Sequence, residues 1–149
     1  MNNYKKAILL IGSPKGKNSS SASLGAYLLK KIEKFDIVGE TVHIHAEIST
    51  KAKTDLFLDK IEEADFIILA APLYVDTLPA KVIKALSLIA DKRKKLYFDD
   101  IKSAKNQSFT AVVNCGFPEA EQNTTALKVY QEFAEEAKLK YLGGIAVGM

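Results

Sequence analysis

Ten residues near the start of the chain, Gly12 to Ser21 (GSPKGKNSSS), concentrate groups that bind anions. Ser13, Ser19, Ser20 and Ser21 carry hydroxyls, Asn18 an amide, and Lys15 and Lys17 positive charge. A helix beginning at these serines adds free N–H groups and a positive dipole end, the usual seat of a phosphate. Spacing rejects two specific versions. A Walker A loop needs four residues between its glycines and a hydroxyl after the lysine, but three residues separate Gly12 from Gly16, and Asn18 follows Lys17. The dinucleotide fingerprint G-x-G-x-x-G lacks a glycine here. A polar loop with serine caps uses the same residues, so this loop alone favours a phosphate modestly.

Two other stretches have the opposite character. In Ala71–Pro79 (APLYVDTLP), Pro72, Leu73, Tyr74 and Leu78 put apolar side chains where a surface loop is expected. They suit a flat aromatic partner, or they close the core beneath a turn. In Asn114–Glu119 (NCGFPE), Gly116 permits close backbone approach and Phe117 could pack at a ligand edge; an ordinary turn reads the same way.

The elements around these loops bring them together. Ala7–Ile11, Phe66–Ala70 and Phe109–Val113 are nearly continuous apolar runs, as in strands buried on both faces. Thr41–His45 alternates and predicts an edge strand, and Tyr141–Val147 a fifth strand. Helices are predicted over about 21–34 (Leu24, Leu28, Ile32), about 53–63 (Leu56, Phe57, Ile61), after Pro79 (Val82, Ile83, Leu86, Ile89) and around Leu127, Tyr130, Ala134 and Ala137. Alternating strands and helices imply parallel pairing with right-handed crossovers. The predicted fold class is α/β, a doubly wound parallel sheet in the order 2-1-3-4-5, in one domain spanning 1–149. Ligands on such sheets bind beyond the carboxyl ends of the strands where the order reverses, here between the first and third. One phosphate-type loop and two apolar loops meet there, a shape suited to a phosphate attached to a flat ring system.

Composition narrows the classes further. Hydrophobic residues at 48% and charged residues at 26% are ordinary for a globular protein. A net charge of +3 permits an anionic ligand without signalling nucleic acid. Cys115 is the only cysteine, which excludes an intrachain disulfide, a four-cysteine zinc site and a cysteine-ligated iron–sulfur cluster within one chain. The expected location is cytoplasmic, with neither membrane nor nucleic acid as partner and no metal site. His43 and His45 share a face if both lie on a strand, but no third histidine joins them, so a solvated edge is expected. Lys92–Lys95 is read as a solvated helix end away from the site.

These motifs in register resemble the flavodoxin-like NAD(P)H-dependent FMN reductase family. Its first-loop pattern, G-S-P-[RK] followed by Gly, Asn and Ser/Thr, is matched by Gly12–Lys15, Gly16, Asn18, Ser19 and Ser20. Its second, apolar-P-x-Y ending in x-P-A, is matched by Ala71–Tyr74 and Leu78–Ala80, and a C-G-F-P-E element by Cys115–Glu119. The resemblance covers essentially the whole chain. It implies an FMN-dependent oxidoreductase that takes electrons from NAD(P)H and passes them through the flavin to a small acceptor: a quinone, a nitroaromatic, a flavin or a metal ion. It implies a phosphate cradle of Ser13, Lys15, Asn18, Ser19, Ser20 and Ser21. The ring would lie against Pro72, Leu73, Tyr74, Asn114, Cys115, Gly116 and Phe117. The cofactor carries the redox chemistry, so no catalytic acid–base residue is expected.

Such proteins continue past the fifth strand into another helix, and here the sequence stops at Met149. The third and fourth strands are then expected to be half open on one face, leaving an apolar patch that a second copy covers as a homodimer, or that marks a truncated piece. The rival readings are a flavodoxin-type electron carrier, whose usual strong acidity is missing, and a cofactor-free interaction domain.

Overall fold

A computed structural model describes residues 4–74, 78–99, 104–116 and 123–148. Five parallel strands form one sheet in the order β2-β1-β3-β4-β5: β1 Lys6–Ile11, β2 Val38–His43, β3 Phe66–Pro72, β4 Ser108–Cys115 and β5 Lys140–Gly148. The helices are α1 Ser20–Glu33, α2 Ile44–Glu47, α3 Lys51–Glu63, α4 Ala80–Asp99 and α5 Thr124–Glu136, with a 3-10 turn at Gly16–Asn18. This is the expected flavodoxin-like order. Every residue of β3 is buried, as an all-apolar central strand requires, whereas Val42 is the one buried residue of β2 at the sheet edge.

Helices cover the two faces unequally. On one face α2 to α5 enclose a core built on Ile8, Leu10, Ile67, Leu69, Phe109 and Ala111. On the other, α1 packs Leu29, with Leu24, Leu28 and Ile32 partly buried, over Leu9, Ile68, Ala70 and Val112. The expectation that β3 and β4 are half open on this second face does not hold: Phe66, Ile68, Ala70 and Val112 are all buried. Helix α1 lies so close to the sheet that a Cβ on Gly25 would come within 2.8 Å of Leu9 Cδ1 and 3.0 Å of Ala70 Cβ. What stays open is on β5, where Leu142 and Ile145 are 45% and 46% exposed, Ile145 level with buried Val112.

Three local readings change. The second strand ends at His43, and Ile44–Glu47 turns into α2, so His43 and His45 do not alternate along one strand. Leu56 and Ile83 face water on their helices, while Phe57, Ile61, Val82, Leu86 and Ile89 are buried. The Lys92–Lys95 run is not simply a solvated face, because Arg93 is 1% exposed and α4 continues to Asp99. Its Nε donates to the Ala137 carbonyl at 2.7 Å, Nη1 to Glu62 and Gln107, and Nη2 to the carbonyls of Lys105 and Lys138. A buried guanidinium is tolerated because its donors find acceptors and Glu62 balances its charge. Its two hydrogen bonds from α4 to Ala137 and Lys138 also satisfy carbonyls at the end of α5.

Candidate functional site

The three loops meet at the carboxyl edge of the sheet. The first leaves β1 through Gly12, whose N–H donates to the Ala70 carbonyl at 2.8 Å, holding the loop against β3. Only glycine fits there: a Cβ would lie 2.5 Å from Val82 Cγ2 and 2.9 Å from Ala71 Cβ, so α4 starts directly beside the loop. Gly16 takes φ +62°, the left-handed turn that brings the chain back to α1.

The polar residues of this loop divide by what they already bond. Ser19 is the N-cap of α1: its Oγ accepts from the Ala22 N–H at 3.0 Å and donates to the Gly16 carbonyl at 2.7 Å. Ser21 is buried and donates to Asn114 Oδ1 at 2.7 Å. Ser13 is buried, and its Oγ accepts from the Lys15 N–H at 3.2 Å. Lys15, Lys17, Asn18 and Ser20 are exposed. The cap leaves the Ser20 and Ser21 N–H groups without intrahelical acceptors, at the positive end of the helix.

The second loop begins at Pro72, buried at the end of β3, followed by half-buried Leu73 and by Tyr74 at 39% exposure. The third begins at Asn114 and Cys115, both buried, with exposed Gly116 beyond them in open space. Phe117 lies outside the described residues. Asn114 joins all three loops. Its side chain accepts from Ser21 of the first, its carbonyl accepts from the Leu73 N–H of the second at 2.8 Å, and it is itself the start of the third.

Asn123 was not singled out from the sequence. It is fully buried, at the N-cap position of α5, and its side chain does not cap that helix. Its Nδ2 lies 3.5 Å from Cys115 Sγ and 3.4 Å from the Val147 carbonyl, and its Oδ1 has no hydrogen-bond partner. Asparagine just before a helix was the available signal, and it reads as an ordinary cap.

Charge at this edge is positive, with Lys15, Lys17 and Lys81 exposed. Burial, then the nearby Lys81 ammonium, lower the pKa of His45 from its ordinary 6.5. Among the described residues no group of three or more His, Cys, Asp or Glu could hold a metal ion.

These donors fit a phosphate monoester: exposed hydroxyl, amide and ammonium groups surround two unbonded helix N–H groups, and two apolar loops flank them. The fold and the loops define a flavodoxin-like protein with a phosphate-type site at its switch point. The chain belongs to the NADPH-dependent FMN reductase family, whose sequence profile matches residues 5–116. FMN-dependent oxidoreduction is the chemistry of that family.

No curated protein matches the chain. Among solved structures it is similar to an apo NADH:FMN oxidoreductase, with 16% identity, a TM-score of 0.75, and coverage of 97% of this chain and 75% of that one. It is also similar to general stress protein 14 of Treponema denticola in complex with FMN, at 15% identity and a TM-score of 0.73, covering 97% and 86%. A flavodoxin of Streptococcus pneumoniae is comparable, at 13% identity and 0.67, covering 97% and 85%. At these identities the likeness is one of fold. Among the described residues no helix is long and apolar enough to cross a membrane.

Proposed function

We propose that the chain binds FMN at the three-loop edge and passes electrons from NAD(P)H to a small acceptor such as a quinone, a nitroaromatic, a flavin or a metal ion. The observation that carries this reading is Asn114, which ties the phosphate-type loop to both apolar loops in a single hydrogen-bonded unit. In it, Ser20, Asn18, Lys15 and the first-turn N–H groups of α1 hold the phosphate. Ser19 and Ser21 shape the cradle through the bonds they already make. Pro72, Leu73, Tyr74, Cys115 and Gly116 border the ring, with Phe117 proposed beside them. Bound FMN supplies the centre that accepts and releases a hydride equivalent. The protein's part is to orient the ring and keep one face open to donor and acceptor.

The mild positive charge favours an enzyme over an electron carrier, for which an acidic docking surface is usual. Fluorescence titration tests the site: FMN binds about one per chain and more tightly than riboflavin, which lacks the phosphate. Equal affinities remove the phosphate assignment. Bleaching of the bound flavin by NAD(P)H separates an enzyme from a carrier that is not reduced directly. We further propose a homodimer through the open β5 edge. Tyr141–Gly148 carries no charged side chain to oppose two-fold pairing of two such edges, and Leu142 and Ile145 stand exposed beside it. Light scattering that shows a monomer removes the dimer.

A further inference from the structure

On the β2 side of the first loop lies a groove of about 270 Å³. It runs between the first two turns of α1 and the end of β2, over Ile11 and Ala26, and is lined by Lys17, Ser23, Thr41 and His43. His43 is level with Ile11 in the parallel register, so the groove opens where the phosphate-type loop begins. Lys17 belongs to both.

Sheet order gives the groove its direction. The apolar loops follow β3 and β4, on one side of the first loop, and the groove follows β2, on the other. A flavin lying toward β3 and β4 with its phosphate at the first loop turns the far side of that phosphate toward β2. FMN ends there. A flavin that continues through a pyrophosphate to a nucleoside would continue into the groove. The lining suits that continuation: one ammonium for a second phosphate, two hydroxyls and an imidazole for a ribose, and an apolar floor for a base. Its volume falls just below the roughly 300–1,000 Å³ of whole ligand pockets, as half a ligand requires. His43 Nδ1 is shielded from water and has no hydrogen-bond partner, a state that costs free energy until a polar group reaches the ring.

We propose that this groove takes the second phosphate and the nucleoside of a pyrophosphate-linked flavin, so that the site accepts FAD as well as FMN. The inference rests on the FMN reading and extends it. Calorimetric titration of the flavin-free protein with FMN and with FAD tests it, using the natural sequence, His43→Ala and Thr41→Val. Both substitutions lie outside the FMN cradle. The expected result is FAD affinity equal to or above that for FMN, and a fall of about tenfold in FAD affinity in His43→Ala, the scale of one hydrogen bond, with FMN unchanged. Thr41→Val lowers FAD affinity alone by a smaller factor. FAD binding more than about tenfold weaker than FMN, or equal losses for both flavins in the variants, overturns the groove assignment and leaves the FMN reading standing. Failure of both flavins to bind the natural sequence overturns the two together.

Discussion

Replacing Ser21 by alanine tests whether the three loops act as one unit. The Ser21 hydroxyl and Asn114 Oδ1 are 2.7 Å apart, both residues are buried, and they are 93 residues apart in sequence. Ser21→Ala removes one oxygen, so the cavity is small and the main loss is the partner of a buried amide oxygen. An unsatisfied buried acceptor costs about 1–3 kcal/mol. Asn114→Ala removes the same bond from the other side, together with a larger side chain, but leaves the backbone bond to Leu73. Because the two residues touch, their costs are not additive, and a double-mutant cycle by urea unfolding should give a coupling of about 0.5–3 kcal/mol. The same cycle read by FMN titration reports how much of that coupling organises the site. It cannot exceed the bond's own contribution, which limits the loss in FMN affinity to between about fivefold and 150-fold. A stability coupling below about 0.5 kcal/mol would mean that the hydrogen bond does not join the loops in solution. A normal stability coupling with unchanged FMN affinity would mean that the joined loops are not the flavin site.

Ser20→Ala is expected to weaken FMN by about 1.5–3 kcal/mol, one to two decades, as for a charge-assisted hydrogen bond; Lys15→Ala costs less because its ammonium stays solvated, and unchanged affinity in both places the phosphate elsewhere. Arg93→Met is expected to destabilise the domain by about 3 kcal/mol in urea, at the low end for breaking a buried pair because Glu62 keeps some water, and to leave FMN affinity untouched; a loss below about 1 kcal/mol refutes the role given to the guanidinium. Stability falls in two pH windows. Burial and Lys81 lower the His45 pKa below 6.5, so folding favours the neutral ring and its contribution fades as pH drops below 6.5. Burial works to raise the Asp65 pKa, but bonds from Lys105 and the Lys5 and Lys6 N–H groups outweigh it and hold it below 3.8. The Asp65 contribution is therefore present above 3.8 and is lost as pH falls through the folded value. Urea midpoints measured against pH should lose the upper step in His45→Gln and the lower one in Asp65→Asn, and steps that persist contradict these assignments.

Much of the fold is legible because burial writes itself into period and polarity. The unbroken apolar runs of β1 and β3 mark strands covered on both faces, and the polar β2 marks the edge, which together order the sheet. The end of β2 was hidden because T-V-H-I-H keeps alternating while the backbone turns at Ile44 without a glycine or proline. Arg93 was partly legible: Val82, Leu86, Ile89 and position 93 lie on one helical stripe, but a cation beside lysines reads as solvent-facing until Gln107, Glu62 and three carbonyls are seen around it. Coverage of β3 by α1 depends on a close approach at Gly25, which periodicity does not encode. At the site, residue types marked the loop, but Ser19, Ser20 and Ser21 are chemically identical in sequence. Only tertiary structure separates the cap, the exposed hydroxyl and the strut to Asn114.

The two edges of the sheet are built for different tasks. At the amino edge, polar groups are spent on one another: Arg93 gathers Glu62, Gln107 and backbone carbonyls, Gln107 Nε2 donates to the Ile61 and Ala64 carbonyls, and Asp65 accepts from the Lys5 and Lys6 N–H groups. At the carboxyl edge the bonds are fewer, and polar groups remain uncommitted: Ser20, Asn18, Lys15 and Lys17 are exposed, and Asn123 Oδ1 and His43 Nδ1 are buried without partners. Unsatisfied polar groups cost stability, so a fold keeps them where a ligand repays the cost. The amino edge supplies the rigidity that lets the carboxyl edge hold such groups in place. Substitutions at the first edge should therefore move the unfolding midpoint and not flavin affinity, and substitutions of exposed carboxyl-edge donors the reverse. Ser21 and Asn114, which both stabilise and position, are where the two quantities should change together.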